Sequence, residues 1–189
     1  MHSNAEIIDR RLIYDQWLKL YEVKVRLPNG VVETRRVEDH GRAAAVLLYD
    51  PDRRVALLVQ QPRAPILDMG GEPILEVVAG GQEGKSAEAT AYEECLEEAG
   101  VAIKELDHVG TVWSMPSVST EYLELYLAKY GTADRIEAGG GASNENECIT
   151  VHEISLRDLW MLATSNRPQD GKTFMLIQAL KIRRPELFG

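Results

Sequence analysis

Two stretches near the start of the chain alternate apolar and polar residues, which predicts a pair of β-strands. The first is Trp17–Leu27, and the second, Val31–Val37, alternates more loosely. Pro28, Asn29 and Gly30 separate them, and such a connection is a strong signal for a hairpin turn. A lone hairpin is only marginally stable in water, so we expect this one to pack on the rest of the chain or on a second copy.

The rest of the chain predicts further strands and three helices. The strands are expected at Arg42–Tyr49, Val55–Gln61, Ile74–Val78, Leu106–Trp113, Tyr122–Tyr130 and Ile149–Ile154. The helices are expected at Ala87–Ala99, from Ser155 towards Thr164, and at Phe174–Ile182, the last opened by the segment DGKT. Strands dominate the first half and helices close the chain, which favours a mixed α/β (α+β) class with a mixed or largely antiparallel sheet.

Composition and charge argue against several classes of function. The 189 residues are 44% hydrophobic and 27% charged, as expected for one globular domain with a sizeable core. The net charge of −9 argues against nucleic acid or a membrane as the main partner. The sequence shows no apolar leader and no membrane-length apolar run, so we expect a cytoplasmic location. Cys95 and Cys148 have the spacing of neither a disulfide framework nor a zinc site.

The stretch from Ala79 to Gly100 carries the strongest chemical signal. It reads AGGQEGKSAEATAYEECLEEAG, with a serine at a helix N-cap position and a glycine at the C-terminal stop. Glu94, Glu97 and Glu98 lie at positions i, i+3 and i+4, so their carboxylates share one helix face. Acids at this spacing usually form a solvated surface. Here a strand and a glycine turn precede them, and clustered carboxylates beside backbone carbonyls suit Mg²⁺.

This stretch resembles the signature of the Nudix hydrolases, G-x5-E-x7-R-E-U-x-E-E-x-G-U, where U is aliphatic. The second half matches as ECLEEAGV, from Glu94 to Val101. The first half departs: the loop from Gly80 is one residue short, Lys85 takes the position of the first glutamate, and Glu93 replaces the arginine. In the family that arginine braces the metal-binding glutamates. We therefore expect Glu93→Arg to raise activity at limiting Mg²⁺.

The resemblance implies a fold, a domain division and a metal site. The fold is an α/β/α sandwich with a mixed sheet. An N-terminal β-hairpin subdomain at residues 1–40, a possible dimerisation element, would precede a Nudix hydrolase domain at residues 41–189. The resemblance implies Glu145 as general base and Glu97 as an organiser of the metal site. Mg²⁺, with Mn²⁺ as an alternative, would be held by Glu94, Glu98, Glu147 and the carbonyl of Ala79.

Outside the predicted helix, the chain is most similar to the Nudix branch that contains ADP-ribose pyrophosphatase and GDP-mannose hydrolase. The segment SNENECITVHEIS is similar to the loop and strand that follow the signature in ADP-ribose pyrophosphatase. The segment MPSVSTE keeps the proline and the final glutamate of a branch loop, so Glu121 would face the sugar. Arg35 lines up with a base-contacting arginine and Arg63 with a phosphate-contacting one, although either arginine could instead be an ordinary surface charge. The resemblance also implies Gly80 as a substrate-binding residue.

Together these matches imply metal-dependent hydrolysis of the pyrophosphate bond in a nucleoside diphosphate sugar, of the GDP-mannose or ADP-ribose type, by a homodimer. Two alternatives stay open. The altered signature would suit a Nudix-like module that binds or senses a nucleotide sugar without cleaving it, although the retained acids argue against this. A protein that stores or senses divalent cations is the other alternative.

Overall fold

The computed structural model describes residues 4–141 and 148–189. Within them the strands are β1 (Glu6–Asp15), β2 (Lys19–Arg26), β3 (Val32–Asp39), β4 (Arg42–Asp50), β5 (Val55–Gln60), β6 (Leu75–Glu76), β7 (Val78–Gly81), β8 (Asp107–Trp113), β9 (Tyr122–Lys129) and β10 (Thr150–Ser155). The helices are α1 (Ala64–Asp68), α2 (Ala87–Ala99), α3 (Leu156–Ala163) and α4 (Gly171–Arg183). Short 3₁₀ helices lie at Thr132–Asp134 and Pro185–Phe188.

The chain divides into two compact units. The first contains the chain up to Arg42 and the segment Trp113–Tyr122, and the second contains Ala43–Val112 and Leu123–Gly189. The second unit is built on a sheet with the strand order β10-β5-β4-β9-β8, to which β6 adds beside β5 and β7 beside β4. β5 is antiparallel to β4, β6 and β10, and β7 is antiparallel to β4. The predicted domain boundary after residue 40 stays a prediction.

Strand β4 shows why this sheet is covered on both faces. Successive residues of a strand point to opposite faces. Ala45 and Leu47 belong to a core cluster formed with α3 and α4, whereas Val46 and Leu48 belong to a second cluster formed with α2. All four residues are fully buried. The sheet therefore lies between α2 on one side and α3 with α4 on the other, and the predicted α/β/α sandwich is confirmed.

The first unit contains a three-stranded antiparallel sheet in the order β1-β2-β3. The predicted hairpin is present as β2 and β3, joined by a turn in which Gly30 has a φ of +83°. The strand β1 was not predicted. Its sequence, EIIDRRLIYD, has no regular alternation, and every one of its residues is exposed.

Two further differences from the sequence prediction precede the acidic helix in the chain. The segment Pro62–Pro73, for which the sequence predicts neither a strand nor a helix, contains the short helix α1. The strand expected at Ile74–Val78 is divided, because β6 pairs with β5 whereas β7 pairs with the neighbouring β4. As a consequence β7 continues into the glycines of the signature, and Ala79 and Gly80 lie in a strand.

Candidate metal centre

Local signals define helix α2, and its apolar face fixes its position. The hydroxyl of Ser86 accepts a hydrogen bond from the backbone N–H of Ala89 at 3.2 Å, as an N-cap does. Gly100 ends the helix with a φ of +71°, in the left-handed region that glycine adopts without strain. Cys95 and Ala99 are fully buried in the core beneath the helix. The neighbouring acidic residues consequently lie alongside β7.

Two of the predicted metal ligands lie directly against β7. Glu98 is only 2% exposed, and its Oε2 accepts a hydrogen bond from the backbone N–H of Ala79 at 3.0 Å. Glu94 lies over Gly80, where an added Cβ would be 1.8 Å from the Oε1 atom of Glu94. Gly80 therefore leaves the space that the Glu94 carboxylate occupies. The structure thus brings together four of the predicted site residues, two from a strand and two from a helix.

The described donors suit a hard divalent cation. Within residues 4–141 and 148–189, no three side chains of His, Cys, Asp or Glu lie close enough together to enclose a metal ion by themselves. Glu94 and Glu98 nevertheless present two carboxylates beside the backbone of Ala79. Mg²⁺ is commonly bound through one or two carboxylates and completes its coordination with water and substrate phosphates. This donor set fits such an ion.

A glycine loop packs on the C-terminal end of α2. The N–H groups of Gly140 and Gly141 donate to the backbone carbonyls of Glu98 and Glu97 at 2.9 and 3.0 Å. A Cβ added at Gly139 would lie 2.4 Å from the carbonyl oxygen of Glu98, so this close approach requires glycine. The loop therefore satisfies carbonyls that a helix end leaves unpaired.

Three predicted catalytic or metal-binding residues stay predictions. Glu97 lies on α2 and is partly buried. Glu145 and Glu147 follow the glycine loop in the sequence and lie outside the described residues.

Arg63 belongs to a charged network beside β7, which we call the Glu76 network and which consists of Arg63, Glu76, Lys172 and Asp170. The Nε and Nη2 atoms of Arg63 donate to the two carboxylate oxygens of Glu76 at 2.8 and 3.0 Å. The Nζ atom of Lys172 donates to Glu76 at 2.7 Å and lies 3.1 Å from the carboxylate of Asp170. Glu76 itself is only 3% exposed.

The network is electrostatically matched and lies close to the acidic helix. Burial alone would raise the pKa of Glu76, but the hydrogen bonds and charges of Arg63 and Lys172 outweigh it, and the pKa is lowered. The hydrogen bond to Glu76 raises the pKa of Arg63, and the nearby charge of Glu98 acts in the same direction. Arg63 is thus held by Glu76, within the electrostatic influence of Glu98, and its contact with a substrate phosphate stays a prediction.

Lys172 was missed at the sequence level. The expected helix entry is correct, since Asp170 caps α4 by accepting the backbone N–H of Thr173 at 3.0 Å. Lys172 follows that cap, and its contact with Glu76 joins residues 96 positions apart. No local pattern could have indicated this contact.

Arg35 and Glu121, the remaining predicted substrate contacts, belong to the first compact unit. Arg35 lies on β3 and forms an ion pair with Glu33. The backbone N–H of Glu121 donates to the hydroxyl of Ser119 at 3.1 Å. The roles of both residues toward a substrate stay predictions.

A cavity of about 560 Å³ lies elsewhere in the second unit, lined in part by Tyr49, Leu127 and Tyr130. Tyr49 is four residues along β4 from Ala45, the partner of Ala79 in the register of β4 with β7. At about 3.3 Å per residue, the cavity is some 13 Å away from the acidic site along the strand. The carboxylate chemistry therefore does not lie in this cavity.

The model of the NUDIX domain family matches residues 39–176 of the chain. The chain belongs to the NUDIX family. This Nudix chain is 32% identical over 189 residues to a GDP-mannose pyrophosphatase of Pectobacterium atrosepticum, with 97% of each chain covered. It is 31% identical to a GDP-mannose pyrophosphatase of Enterobacter sp. strain 638, with 96% of this chain and 97% of the relative covered.

The fold of this Nudix chain also has a solved counterpart. A crystal structure of an ADP compounds hydrolase superposes with a TM-score of 0.72, covering 95% of this chain and 96% of the other at 15% identity. The predicted family is thus confirmed by the family match and the fold by the structural one. Nudix hydrolases generally use divalent metal ions. Within the described residues, no helix combines the length and the apolar character needed to cross a membrane.

The two residues that depart from the Nudix signature contact one another. The ammonium group of Lys85 forms an ion pair and a hydrogen bond with the carboxylate of Glu93. The side chains are about half exposed, at 48% and 41%. Glu93 is therefore paired with a cation.

Proposed function

We propose that this Nudix protein hydrolyses the pyrophosphate bond of a nucleoside diphosphate sugar, giving a nucleoside monophosphate and a sugar phosphate. The observation that carries the proposal is the convergence of the Glu94 and Glu98 carboxylates on the backbone of Ala79 and Gly80. Whole-length similarity to proteins named GDP-mannose pyrophosphatase supports the choice of substrate class. GDP-mannose is accordingly the first substrate to test, and ADP-ribose the second.

The acidic charge of the protein explains why a cation is needed. Substrate and protein are both anionic, since the protein carries a net charge of −9. We propose Mg²⁺, with Mn²⁺ as an alternative, held by Glu94, Glu98, Glu147 and the Ala79 carbonyl. Such an ion would neutralise the diphosphate and increase the acidity of the attacking water.

The remaining roles are assigned to residues of the chain. Glu145 accepts the proton of the attacking water as general base. Glu97 organises the metal site from its place on α2. Arg63 is held by Glu76 on the side of Glu98, where its guanidinium can attract a substrate phosphate.

Contacts to the base and sugar are proposed for three further residues. Arg35 contacts the base and Glu121 the sugar hydroxyls, as the resemblance implies. Gly80 is proposed to contact the substrate through its backbone, since the space where a side chain would begin is occupied by the Glu94 carboxylate.

We also propose that the protein is a homodimer associating through the first compact unit. The strand β1 is exposed along its whole length, including Ile7 at 62% and Leu12 at 43%. Exposed apolar residues on a strand at the edge of a sheet favour association. Light scattering coupled to size-exclusion chromatography should show a dimer. The double substitution Ile7→Glu and Leu12→Glu should convert it to a monomer, and an unchanged dimer would exclude this surface.

The cytoplasmic location stays a prediction from the sequence.

Hydrolysis assays with purified protein test the proposed function. The wild type should release nucleoside monophosphate from GDP-mannose or ADP-ribose in the presence of Mg²⁺ or Mn²⁺. Glu98→Gln and Glu145→Gln should each lower kcat by about 10²-fold or more, because a metal ligand or a general base is lost. Glu105→Gln changes an exposed acid outside the site and should leave kcat unchanged.

Two results would contradict the proposal. Undiminished hydrolysis by Glu98→Gln and by Glu145→Gln would show that the carboxylates do not act as assigned. Tight binding of nucleotide sugars without turnover, in Mg²⁺ and in Mn²⁺, would instead identify a binding or sensor module.

A further inference from the structure

The two departures from the Nudix signature, Lys85 and Glu93, reverse both of its charges and then pair with one another. The signature has glutamate at the first position and arginine at the second. Because this fold brings the two positions into contact, a chain with glutamate and arginine there could form the same pair with the charges exchanged. The departures are therefore a compensated exchange and not two separate losses.

A tight turn presents Lys85 to the helix. Glu83 and Gly84 both have positive φ, at +46° and +87°, and the N–H of Lys85 donates to the carbonyl of Gln82 at 2.7 Å. Positive φ at both central residues is typical of a type I′ turn. The turn places Lys85 directly before α2, from where its side chain reaches Glu93.

Lys85 supplies a positive charge that α2 itself lacks at this end of the site. Glu93 and Glu97 are one helical turn apart and repel one another. The last turn of α2 contains no basic residue. The hydrogen bond to Glu93 raises the pKa of Lys85, and the charges of Glu83 and Glu97 act in the same direction. Lys85 thus offsets the repulsion immediately beside the candidate ligand Glu94.

We propose that the Lys85–Glu93 pair is a brace of reversed polarity, which positions Glu94 and Glu97 for the divalent cation. The inference rests on the proposed metal-dependent function. Without the pair, Glu93 repels Glu97 and shifts the neighbouring carboxylates, while the buried face of α2 still fixes the helix against β7. The expected effect of Glu93→Arg is also reversed. The new arginine would face Lys85, so this substitution should weaken metal binding instead of improving it.

Four proteins test the brace: the wild type, K85E, E93R and K85E/E93R. Their Mn²⁺ affinities are measured by isothermal titration calorimetry on the full chain without substrate. Each single substitution should weaken binding by about fivefold, because attraction is replaced by repulsion, and the double variant should return to within about twofold of the wild type. K85E is the decisive variant. It adds negative charge, so a long-range charge effect alone would tighten Mn²⁺ binding, whereas loss of positioning weakens it.

Matched control variants distinguish the effect of losing the Lys85–Glu93 pair from the effect of changing the net charge of the protein. Lys129→Glu and Glu105→Arg make the same charge changes at exposed residues that form no ion pair among the described residues. They report the long-range contribution, which is subtracted. Lys85→Arg keeps the pair and should keep the affinity. Lys85→Met removes the charge without adding repulsion, and it should weaken binding less than K85E does.

Several outcomes would overturn the brace. One is tighter Mn²⁺ binding by K85E together with weaker Mn²⁺ binding by E93R. Another is a double variant whose Mn²⁺ affinity does not recover. The third is a set of variants whose thermal midpoints shift while their Mn²⁺ affinities stay constant. Failure of the proposed function is a separate result. A wild type that binds Mn²⁺ but hydrolyses no nucleotide sugar would refute the function, while recovery of Mn²⁺ affinity in the double variant would still support the brace.

Discussion

Two ion-pair arrangements flank the same short stretch of chain, and they differ in their exposure to solvent. The Glu76 network lies before β7 and is centred on a carboxylate that is 3% exposed. The Lys85–Glu93 pair follows β7, and both its side chains are about half exposed. The first has two cations around one acid, fixed by hydrogen bonds from different elements. The second has one contact between flexible side chains on the surface.

Because the two arrangements differ in exposure, we expect the Glu76 network to stabilise the fold and the Lys85–Glu93 pair to position residues of the acidic site. Removing one partner of a buried ion pair leaves the other charge desolvated and uncompensated, which is costly. An exposed pair is screened by water and contributes little to folding. We therefore expect the Glu76 network to hold α4 against β6 and β7. The Lys85–Glu93 pair should affect the acidic site while hardly changing the free energy of unfolding.

The largest effect is expected for Glu76→Gln. The substitution removes the carboxylate that Arg63 and Lys172 share, but Lys172 keeps Asp170 and the Arg63 side chain is 40% exposed, so the loss should lie at the low end for a buried ion pair. The free energy of unfolding should fall by about 3 kcal/mol, measured by urea denaturation. Glu105→Gln, at an exposed position, is the control and should change it by less than about 0.5 kcal/mol. A Glu76→Gln protein as stable as the control would show that the network is not structural.

Thr173→Val should have a smaller effect at the same place. The Thr173 hydroxyl accepts the backbone N–H of Val77 at 2.8 Å and donates to Asp170 at 2.5 Å. Valine keeps the shape but leaves the buried N–H unpaired, at a cost of about 1–3 kcal/mol in unfolding free energy. Thr173→Ser keeps the hydroxyl and should retain most of the stability. Equal losses in both variants would assign the effect to packing and not to the hydrogen bond.

Lowering the pH should reduce the stability that the Glu76 network contributes to the fold. The pKa of Glu76 is lowered in the folded chain, so its ionised form contributes stability above its unfolded pKa, near 4.5, and loses it as pH falls through the folded pKa. The difference in thermal midpoint between the wild type and Glu76→Gln should consequently be full at pH 7 and shrink below about pH 4.5. A difference that stays constant down to pH 3 would show that ionisation of Glu76 does not contribute.

Local signals were sufficient for the acidic helix. Its N-cap at Ser86 and its stop at Gly100 are sequence patterns with direct structural counterparts. The approach of Glu94 and Glu98 to β7 followed from their spacing together with the preceding strand. Strand β1 was missed because its apolar residues do not alternate, and its residues are exposed along its whole length. A strand without a buried face leaves no periodic signal.

Contacts between distant residues account for the other omissions. The packing of Gly139 on the Glu98 carbonyl joins a loop to a helix 41 residues earlier in the chain. The Lys172–Glu76 contact has the same long-range character. Lys85 and Glu93 are only eight residues apart, but a turn precedes the helix, and no local pattern indicates that the side chains meet. Lys85 and Glu93 were therefore predicted as two separate departures from the signature, where the structure has an ion pair.

The smallest effect is expected for the exposed pair. Lys85→Met and Glu93→Gln should each change the free energy of unfolding by less than about 1 kcal/mol, because the pair is half exposed and screened. Raising the salt concentration from 0.1 to about 1 M shortens the screening length from roughly 10 to 3 Å, and should remove most of even this difference. Urea denaturation at the two salt concentrations measures it. A loss comparable to that of Glu76→Gln would mean that the pair stabilises the fold, and the contrast between the two arrangements would then fail.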